Sequence, residues 1–277
     1  MANNQVEHIN IQRISDGILT AMNDQVAVEE PLEIQLDYST STGFMQKNIA
    51  VTMRTPGNDE ELAAGFLFSE GVIQNNGSIK GIRSFSADEN RVLISLRENV
   101  KPILQNVERN FYSTSSCGIC GKASIDAIRL TSVFKEENNS LSVNATVLHG
   151  LQDTLRKQQL IFENTGGIHA SALFTLDGNF MMLREDVGRH NALDKIIGAA
   201  LLNDQLPLNN CILLLSGRAS FELLQKASMA GIKIVVAVGA PSSLAVEMAK
   251  ETGITLIGFL RNDRFNIYAG NERIIYK

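Results

Sequence analysis

The sequence has little cysteine and no long hydrophobic segment. Three cysteines among 277 residues are too few, and odd in number, for a disulfide framework, so the composition is typical of a protein from a reducing compartment. The longest aliphatic runs, Cys211–Leu215 and Ile234–Val238, are much shorter than the roughly 20 residues that a transmembrane helix needs. The sequence therefore indicates a protein without a membrane-spanning helix.

The sequence also lacks a concentration of one charge. Lys and Arg number 25 against 30 Asp and Glu, a net charge of -5, and no block of five like charges occurs. A nucleic-acid groove or a polybasic membrane surface is therefore not expected. The first ten residues are polar and include Glu7, so we expect no signal peptide. Together these features predict a cytoplasmic globular protein with neither a nucleic-acid nor a membrane partner.

The first half of the chain predicts a small α+β domain. The first ten or so residues are expected to form a loose tail. A helix is predicted to begin at Asn58, with Glu61 completing a capping box, and to end near Gly71. Three segments around it alternate as strands do: Val26–Leu36, Asn48–Arg54 and Arg91–Leu96. The charged connection Lys135–Asn139 suggests a boundary between domains at residues 1–138 and 139–277.

The second half predicts a layered α/β domain. One helix is expected over Thr146–Glu163, followed by a hairpin around Asp177-Gly178. Short apolar strands then alternate with helices, which indicates a parallel sheet with crossover helices. The predicted helices are His190–Leu202, Ala219–Ala230 and Ser242–Thr252, and the predicted parallel strands are Cys211–Leu215, Ile232–Val238 and Ile254–Leu260.

The carboxyl ends of these strands predict a binding site, because ligands of open α/β sheets bind beyond them. Three of the four ends carry arginine, and two lead directly into a helix N-terminus, which favours an anion. This composition predicts a phosphate or nucleotide site; the alternative is that Gly and Ser form tight turns and Arg is solvated. The four ends are Glu185–Arg189, Ser216–Arg218, Gly239–Ser243 and Arg261–Arg264.

The sequence Cys117-Gly-Ile-Cys120 lies in a polar, glycine-rich segment that predicts a loop. Half of a zinc site would need a second ligand pair, but the remaining Cys211 lies in an apolar strand and is expected to be a core residue. A redox dithiol, a structural pair of thiols and a nucleophilic thiolate that passes on sulfur all remain open. Lys122 and a following helix N-terminus would favour the thiolate form.

Two histidines are candidates for function, and the order of elements tests one of them. His190 is predicted at a helix start and His169 in a glycine-rich turn. The order of elements from residue 146 to 260 resembles that of the cytidine deaminases. In those enzymes His-x-Glu supplies one zinc ligand and the catalytic Glu, and Pro-Cys-x-x-Cys supplies the other two ligands. Here the corresponding residues include His190 but neither the Glu nor the cysteines. We therefore expect that fold without a metal site.

Taken together, several motifs resemble the FdhD/NarQ family over nearly the whole chain and in the expected order. They are Glu29-Glu-Pro-Leu32, the segment Thr55–Gly71, Ser116-Cys-Gly-Ile-Cys-Gly121, Thr165-Gly-Gly-Ile-His-Ala170, the segment Arg184–Lys195, Ser216-Gly-Arg218 and Gly239-Ala-Pro-Ser-Ser243.

The resemblance implies a sulfur carrier for formate dehydrogenase maturation. Members take sulfur from a cysteine desulfurase as a cysteine persulfide. They pass it to the molybdenum bis(molybdopterin guanine dinucleotide) cofactor before formate dehydrogenase receives that cofactor. Carried over, Cys117 would bear the persulfide and Cys120 would assist. The cofactor, a bound substrate rather than a permanent group, would contact Phe259, Leu260, Arg261, Asn262, Asp263 and Arg264. A homodimer is expected by the same resemblance; a cofactor-binding chaperone and a dithiol oxidoreductase are the alternatives.

Overall fold

The structure is a computed structural model that describes residues 5–85, 90–104, 130–134 and 141–276. Cys117, Cys120 and the predicted boundary between residues 138 and 139 lie outside the described residues. The roles of the two cysteines and the division into two domains therefore stay predictions.

The N-terminal segment forms a β-hairpin, so the prediction of a loose tail is wrong. Strand β1 (Val6–Ser15) pairs antiparallel with β2 (Ile18–Ala27) along its whole length. Asp16 and Gly17 form the turn, and both have positive φ, as a tight hairpin turn requires. Most side chains of β1 are exposed, so its sequence lacks the apolar alternation that marks a strand with one buried face.

A four-stranded sheet and one helix follow the hairpin, and the predicted strands and helix are confirmed. The sheet has the order β4-β3-β6-β5. Its strands are β3 (Glu30–Thr40), β4 (Gly43–Arg54), β5 (Ile79–Ser84) and β6 (Arg91–Leu96), and α1 spans Asp59–Ser69. Asn58 precedes α1, but its side chain makes no capping hydrogen bond. The three acidic residues of the first turn, Asp59 to Glu61, stabilise the helix instead, because their negative charges lie at the positive end of its dipole.

The predicted helix Thr146–Glu163 is divided into three, after a short strand β7 (Val143–Asn144). The pieces are α2 (Ala145–His149), α3 (Leu151–Gln158) and α4 (Leu160–Thr165). The break after α3 is explained by a contact with β9. The backbone N–H groups of Ile161 and Phe162 donate to the carboxylate of Glu185 at 3.1 and 3.0 Å, in place of the carbonyls that a continuous helix would offer them.

A six-stranded sheet forms the centre of the second half, in the order β13-β12-β11-β10-β8-β9. As predicted, β8 and β9 form an antiparallel hairpin, and β10, β11 and β12 are parallel; β13 was not predicted. The strands are β8 (His169–Thr175), β9 (Phe180–Asp186), β10 (Cys211–Leu215), β11 (Ile234–Ala237), β12 (Thr255–Gly258) and β13 (Asn266–Ala269). The short β14 (Ile274–Ile275) pairs with β7.

The two faces of this sheet bury different helices, because successive strand residues point to opposite sides. On one face Ile212 and Leu214 pack with Leu148 and Leu155 of the α2–α3 segment. On the other face Leu213 and Leu215 belong to a second core. That core includes α1, the inner face of the four-stranded sheet, and the helices α5 (Arg189–Leu202), α6 (Phe221–Met229) and α7 (Ser243–Glu251).

Helices α1 and α5 approach each other at two glycines. A Cβ atom at Gly65 would overlap the backbone carbonyl of Asp194, and one at Gly198 would overlap the carbonyl of Glu61. The backbones can therefore meet only because neither residue has a side chain. This contact fixes the first half of the chain against the second.

A buried polar network lies beside this crossing. The ammonium of Lys226 on α6 donates to Ser69 Oγ at 2.8 Å and to Asp194 Oδ2 at 3.0 Å, and it pairs with Glu70 at 3.0 Å. Because buried charges are costly unless they are paired, the end of α1 is held at one position on α5 and α6.

Within the described ranges, no helix combines the length and apolar character needed to cross a membrane.

Candidate functional site

A cavity of about 470 Å³ opens at the edge of the six-stranded sheet where β10 and β11 end. Parallel strands place their carboxyl ends at the same edge, and the antiparallel β8 begins there. The sheet side of the cavity is therefore formed by the beginning of β8 and the ends of β9, β10 and β11. The lining residues on this side are Gly166, Gly167, Ile168, His169, Val187, Ser216, Gly217 and Val238.

The opposite wall comes from α3, α4 and the break between them. Its lining residues are Gln152, Leu155, Arg156, Gln159 and Phe162. The buried Glu185 holds this wall to the sheet, because it lies near the end of the hairpin strand β9 and accepts from the two backbone N–H groups of α4. Burial raises the pKa of Glu185, and the two N–H donors oppose that shift.

A second cavity of about 210 Å³ adjoins the first and is lined by Gln152, Asp153, Arg156, Arg261 and Asn262. Gln152 and Arg156 line both cavities. Asn262 closes its rim by donating to Asp153 Oδ2 at 2.9 Å. The two cavities therefore lie side by side and share part of their wall.

The structure places the six residues predicted to bind a cofactor in three different environments. Arg261 and Asn262 line the smaller cavity. Leu260 is fully buried in the core beneath the sheet edge, whereas Phe259 is 42% exposed with a positive φ of 54°. Asp263 and Arg264 are exposed and are not among the residues that line either cavity.

Arg261 reaches back over the sheet edge. Its Nη1 donates to the carbonyl oxygens of Val238 and Leu260, at 2.9 and 2.6 Å. These bonds position the guanidinium at the ends of β11 and β12. An arginine held at this place would suit an anion, and the anion site at the strand ends stays a prediction.

Of the two candidate histidines, only His169 lines the cavity. Its ring lies over Gly217, where a Cβ atom would be 3.4 Å from Nδ1. Burial and the nearby charges of Arg189 and His190 lower the pKa of His169 below its ordinary value of 6.5. The ring is therefore neutral at pH 7 and can accept a proton or a hydrogen bond.

His190 has a different partner. Its Nε2 lies 2.9 Å from Glu222 Oε2 on α6, and this contact is the largest cause of the lowered pKa of Glu222. His190 thus links the first turns of α5 and α6 behind the cavity. No cluster of three or more His, Cys, Asp or Glu side chains within the described ranges is arranged to hold a metal ion.

The turn between β9 and α5 is organised by Asp186. Its carboxylate accepts from the backbone N–H groups of Thr55 and Gly188 and from Asn191 Nδ2, and it pairs with Lys195 at 2.7 Å. Thr55 belongs to the segment before α1, so the first half of the chain helps to shape this strand end. Arg218, a further candidate, is exposed and lines neither cavity.

The sequence did not indicate Arg156 or Gln159 as site residues. They were assigned to the interior of one continuous helix, and residues 151–163 contain neither Gly nor Pro to mark a break. The signal that could have found them is indirect: the acidic Glu185 at a buried strand end needed donors, and an interrupted helix supplies free N–H groups.

Comparison with known proteins gives a consistent result. Residues 27–275 match the FdhD/NarQ family. A protein of Streptomyces coelicolor named Sulfur carrier protein FdhD is 48% identical over 97% of this chain and 95% of its own length. A protein of the same name from Sulfolobus acidocaldarius is 41% identical over 98% of this chain and 99% of its own length.

The fold agrees with a crystal structure as well. A Desulfotalea psychrophila chain assigned as a formate dehydrogenase accessory protein superposes with a TM-score of 0.71 and 25% identity, over 98% of this chain and all of that one. The match to the family model covers most of the chain, and relatives above 40% identity span nearly all of it. The chain therefore belongs to the FdhD/NarQ family.

Proposed function

We propose that this protein is a sulfur carrier in the maturation of formate dehydrogenase. The observation that carries the proposal is that relatives named as sulfur carriers match it along almost their whole length, at 41–48% identity. The formate dehydrogenase part rests on the description of the structural neighbour. Such a carrier would act in the cytoplasm, with a cysteine desulfurase and formate dehydrogenase as protein partners, and as a homodimer.

In the proposed reaction, Cys117 receives the sulfur. Its thiolate attacks the outer sulfur of a desulfurase persulfide; a new S–S bond forms, the old one breaks, and the desulfurase cysteine leaves as a thiolate. No external oxidant or reductant is consumed in this step, since the outer sulfur moves as sulfane sulfur and the electron pair of the old S–S bond leaves with the desulfurase thiolate. Cys120 assists at a later step and does not carry the persulfide.

The acceptor of the sulfur is the molybdenum bis(molybdopterin guanine dinucleotide) cofactor, which is a substrate in this scheme. The two neighbouring cavities support this choice, because Arg156 and Arg261 line them and arginine suits phosphate groups. The protein would hold the ligand at the strand ends and let the persulfide reach it, so positioning would supply most of the rate.

We also propose that the six-stranded sheet and its helices form a cytidine-deaminase-like domain. A hairpin followed by three parallel strands with helices between them supports this proposal. The catalytic Glu and the cysteine ligands of those enzymes are absent from the corresponding turns, so the domain would bind a ligand without hydrolytic zinc chemistry.

Mass spectrometry of the intact protein tests the carrier role. The chain is incubated with a pyridoxal-phosphate cysteine desulfurase and cysteine, alongside Cys117→Ala and Cys120→Ala. A gain of about 32 Da that dithiothreitol reverses, present in the wild type and Cys120→Ala but absent in Cys117→Ala, is expected for a persulfide. No gain in any form, with nucleotide binding retained, would instead indicate a cofactor-binding chaperone. A disulfide between the two cysteines would indicate a dithiol oxidoreductase.

A further inference from the structure

The hairpin of β1 and β2 has two faces of different character. Residues directly opposite each other on the two strands share a face, so the register of the hairpin assigns each side chain to one face. One face carries the half-buried apolar residues Ile9, Ile11, Met22 and Val26. Helix α4 packs beside both strands, so we assign this face to the contact with the body of the protein.

The other face, which we call the open face, is exposed and carries no Asp, Glu, Lys or Arg. These four residue types make up 20% of the chain, and Glu7, Arg13 and Asp24 all lie on the half-buried face. From His8 to Asn23, every side chain of the open face is exposed. The open face consists of Val6, His8, Asn10, Gln12 and Ile14 on β1 and Leu19, Ala21, Asn23, Gln25 and Ala27 on β2.

The open face ends at the tip of the hairpin in an aliphatic pair. Ile14 and Leu19 lie directly opposite each other, and their side chains are 72% and 59% exposed. Charged residues commonly protect an exposed strand from association, but the open face has none. A contiguous exposed apolar group of this kind marks a surface that another molecule covers.

The hairpin also needs support on its open face. A ribbon of two strands is at best marginally stable in water. In the part of the chain that the structure describes, β1 and β2 pair only with each other, and α4 supports the half-buried face. A second layer on the open face would complete the ribbon, as packing of one sheet on another does.

The open face is complementary to itself. In a dimer with twofold symmetry, a surface patch meets its own copy, so a charge on the patch would lie close to a like charge. The open face avoids that cost. The amides of Asn10, Gln12 and Asn23 both donate and accept hydrogen bonds, so they can bond to the same groups of a second copy. The pair of Ile14 and Leu19 adds apolar contact area.

We propose that the open face is the surface through which two copies of this chain associate, with the two hairpins packed face to face about a twofold axis. The inference rests on the homodimer of the proposed function and assigns a surface to it. The residues matched to the family begin at residue 27, the last of β2. The hairpin therefore precedes nearly all of the matched region.

The size of the open face indicates the strength of the association. A ribbon of two ten-residue strands is about 33 Å long and about 10 Å wide. Packing two such faces together buries on the order of 1,000 Å² of accessible surface, near the lower limit of specific interfaces. We therefore expect a dimer that dissociates on dilution.

Analytical ultracentrifugation of the full chain, from about 1 µM to about 100 µM, tests the proposal. Ile14→Lys places a charge on the open face, next to the same charge of the second copy. This variant is expected to weaken self-association by at least about tenfold. A wild type that stays monomeric over the whole range would overturn the proposal and would leave the open face to a different protein.

Ile18→Lys is the matched control. Ile18 lies at the same tip and is 68% exposed, but its side chain belongs to the opposite face, because Ile18 pairs with Ser15. This variant should associate as the wild type does. Equal behaviour of the two lysine variants, whether both associate or both fail to, would overturn the assignment to the open face.

A charge-complementation experiment tests the symmetry of the contact. Leu19→Lys and Leu19→Glu should each associate weakly, whereas an equimolar mixture should form a mixed dimer, because opposite charges then meet across the axis. Thermal unfolding of each variant checks that the hairpin itself is intact. A mixture that associates no better than either variant alone would overturn the face-to-face arrangement.

Persulfide formation at Cys117, measured on the same variants, separates this inference from the carrier function. If Ile14→Lys dissociates the dimer but no form of the protein gains sulfur, the carrier function fails and this inference stands. If the wild type gains sulfur but Ile14→Lys remains as dimeric as the wild type, this inference fails alone.

Discussion

The carboxylate of Asp186 and the ammonium of Lys195 lie 2.7 Å apart, and the exposed fractions of the two side chains are 0% and 1%. This pair fixes the turn between β9 and α5, and Thr55, before α1, bonds to both: its N–H donates to Asp186 and its carbonyl accepts from Lys195. The shape of the strand end thus depends on a residue from the other half of the chain.

Removing one member of this pair should destabilise the protein strongly. Asp186→Asn leaves a buried ammonium without its counter-charge, so we expect the free energy of unfolding to fall by about 3–5 kcal/mol. Chemical denaturation of Asp186→Asn, Lys195→Met and the double variant measures the effect. The free energy of unfolding of the double variant should fall by less than the sum of the decreases in the two single variants.

The pair of Glu272 and Arg273, whose carboxylate is exposed, provides the control. Its atoms are 3.4 Å apart, and the Glu272 side chain is 67% exposed. Glu272→Gln should change the free energy of unfolding by no more than about 1 kcal/mol. A loss equal to that of Asp186→Asn would contradict the importance of burial.

His169 should titrate below its ordinary pKa of 6.5, because burial disfavours the charged ring and Arg189 repels it. A base whose pKa is lower in the folded state than in the unfolded state contributes to the free energy of unfolding. This contribution is complete above pH 6.5, where the ring is neutral in both states. That contribution is lost as the pH falls from 6.5 through the lowered pKa. NMR titration of the ring should show the pKa rising in Arg189→Gln while staying below 6.5, since burial is the larger cause. A pKa above 6.5 in the wild type would contradict this environment.

Cys211 should be inert in the folded protein. Burial raises the pKa of its thiol to about 12, and the thiol donates to the carbonyl of Leu208 at 3.2 Å. In a Cys117→Ala, Cys120→Ala background, iodoacetamide at pH 8 should label no cysteine until guanidinium chloride unfolds the chain. Rapid labelling of the native form would show that Cys211 is accessible and could itself carry sulfur.

Gly198→Ala should destabilise the protein, although alanine favours a helix by up to about 1 kcal/mol over glycine. The added methyl group would overlap the backbone carbonyl of Glu61, which can move only if α1 and α5 separate. Overpacking of this kind costs about 1–3 kcal/mol or more, so the steric cost exceeds the gain in helix preference. Thermal unfolding measures the difference.

Gly150→Ala is the matched comparison. No atom lies within 4 Å of a Cβ at this position, and the backbone is already helical, with φ -84° and ψ -12°. Alanine there should be neutral or should stabilise the protein by about 0.4–1 kcal/mol. A loss at Gly150 as large as that at Gly198 would contradict the role of the helix crossing.

The sequence predicted elements well where local patterns decide them. The apolar strand Cys211–Leu215, the Asp177-Gly178 turn and the start of α7 at Ser242, whose side chain accepts from Ala245 N–H, are confirmed. The edge of the sheet was predicted as a binding site because topology alone locates it, and both cavities lie there.

The remaining features depend on contacts between distant residues, and local patterns do not encode them. The break at Gln159 depends on Glu185, which is far away in sequence. Strand β1 is mostly exposed and has no apolar face to reveal it. The closeness of α1 to α5 depends on two glycines that, taken singly, look like ordinary interruptions of a helix.

That close approach also has a consequence for dividing the chain. A fragment of residues 1–138 would uncover the surface of α1 around Gly65, which packs against Asp194 and Gly198 of α5 in the whole protein. A fragment of residues 139–277 would lose Ser69 and Glu70, two partners of Lys226. Expressed separately, each fragment should aggregate, whereas co-expressed fragments should assemble. The two halves of the sequence are therefore expected to behave as one cooperative folding unit.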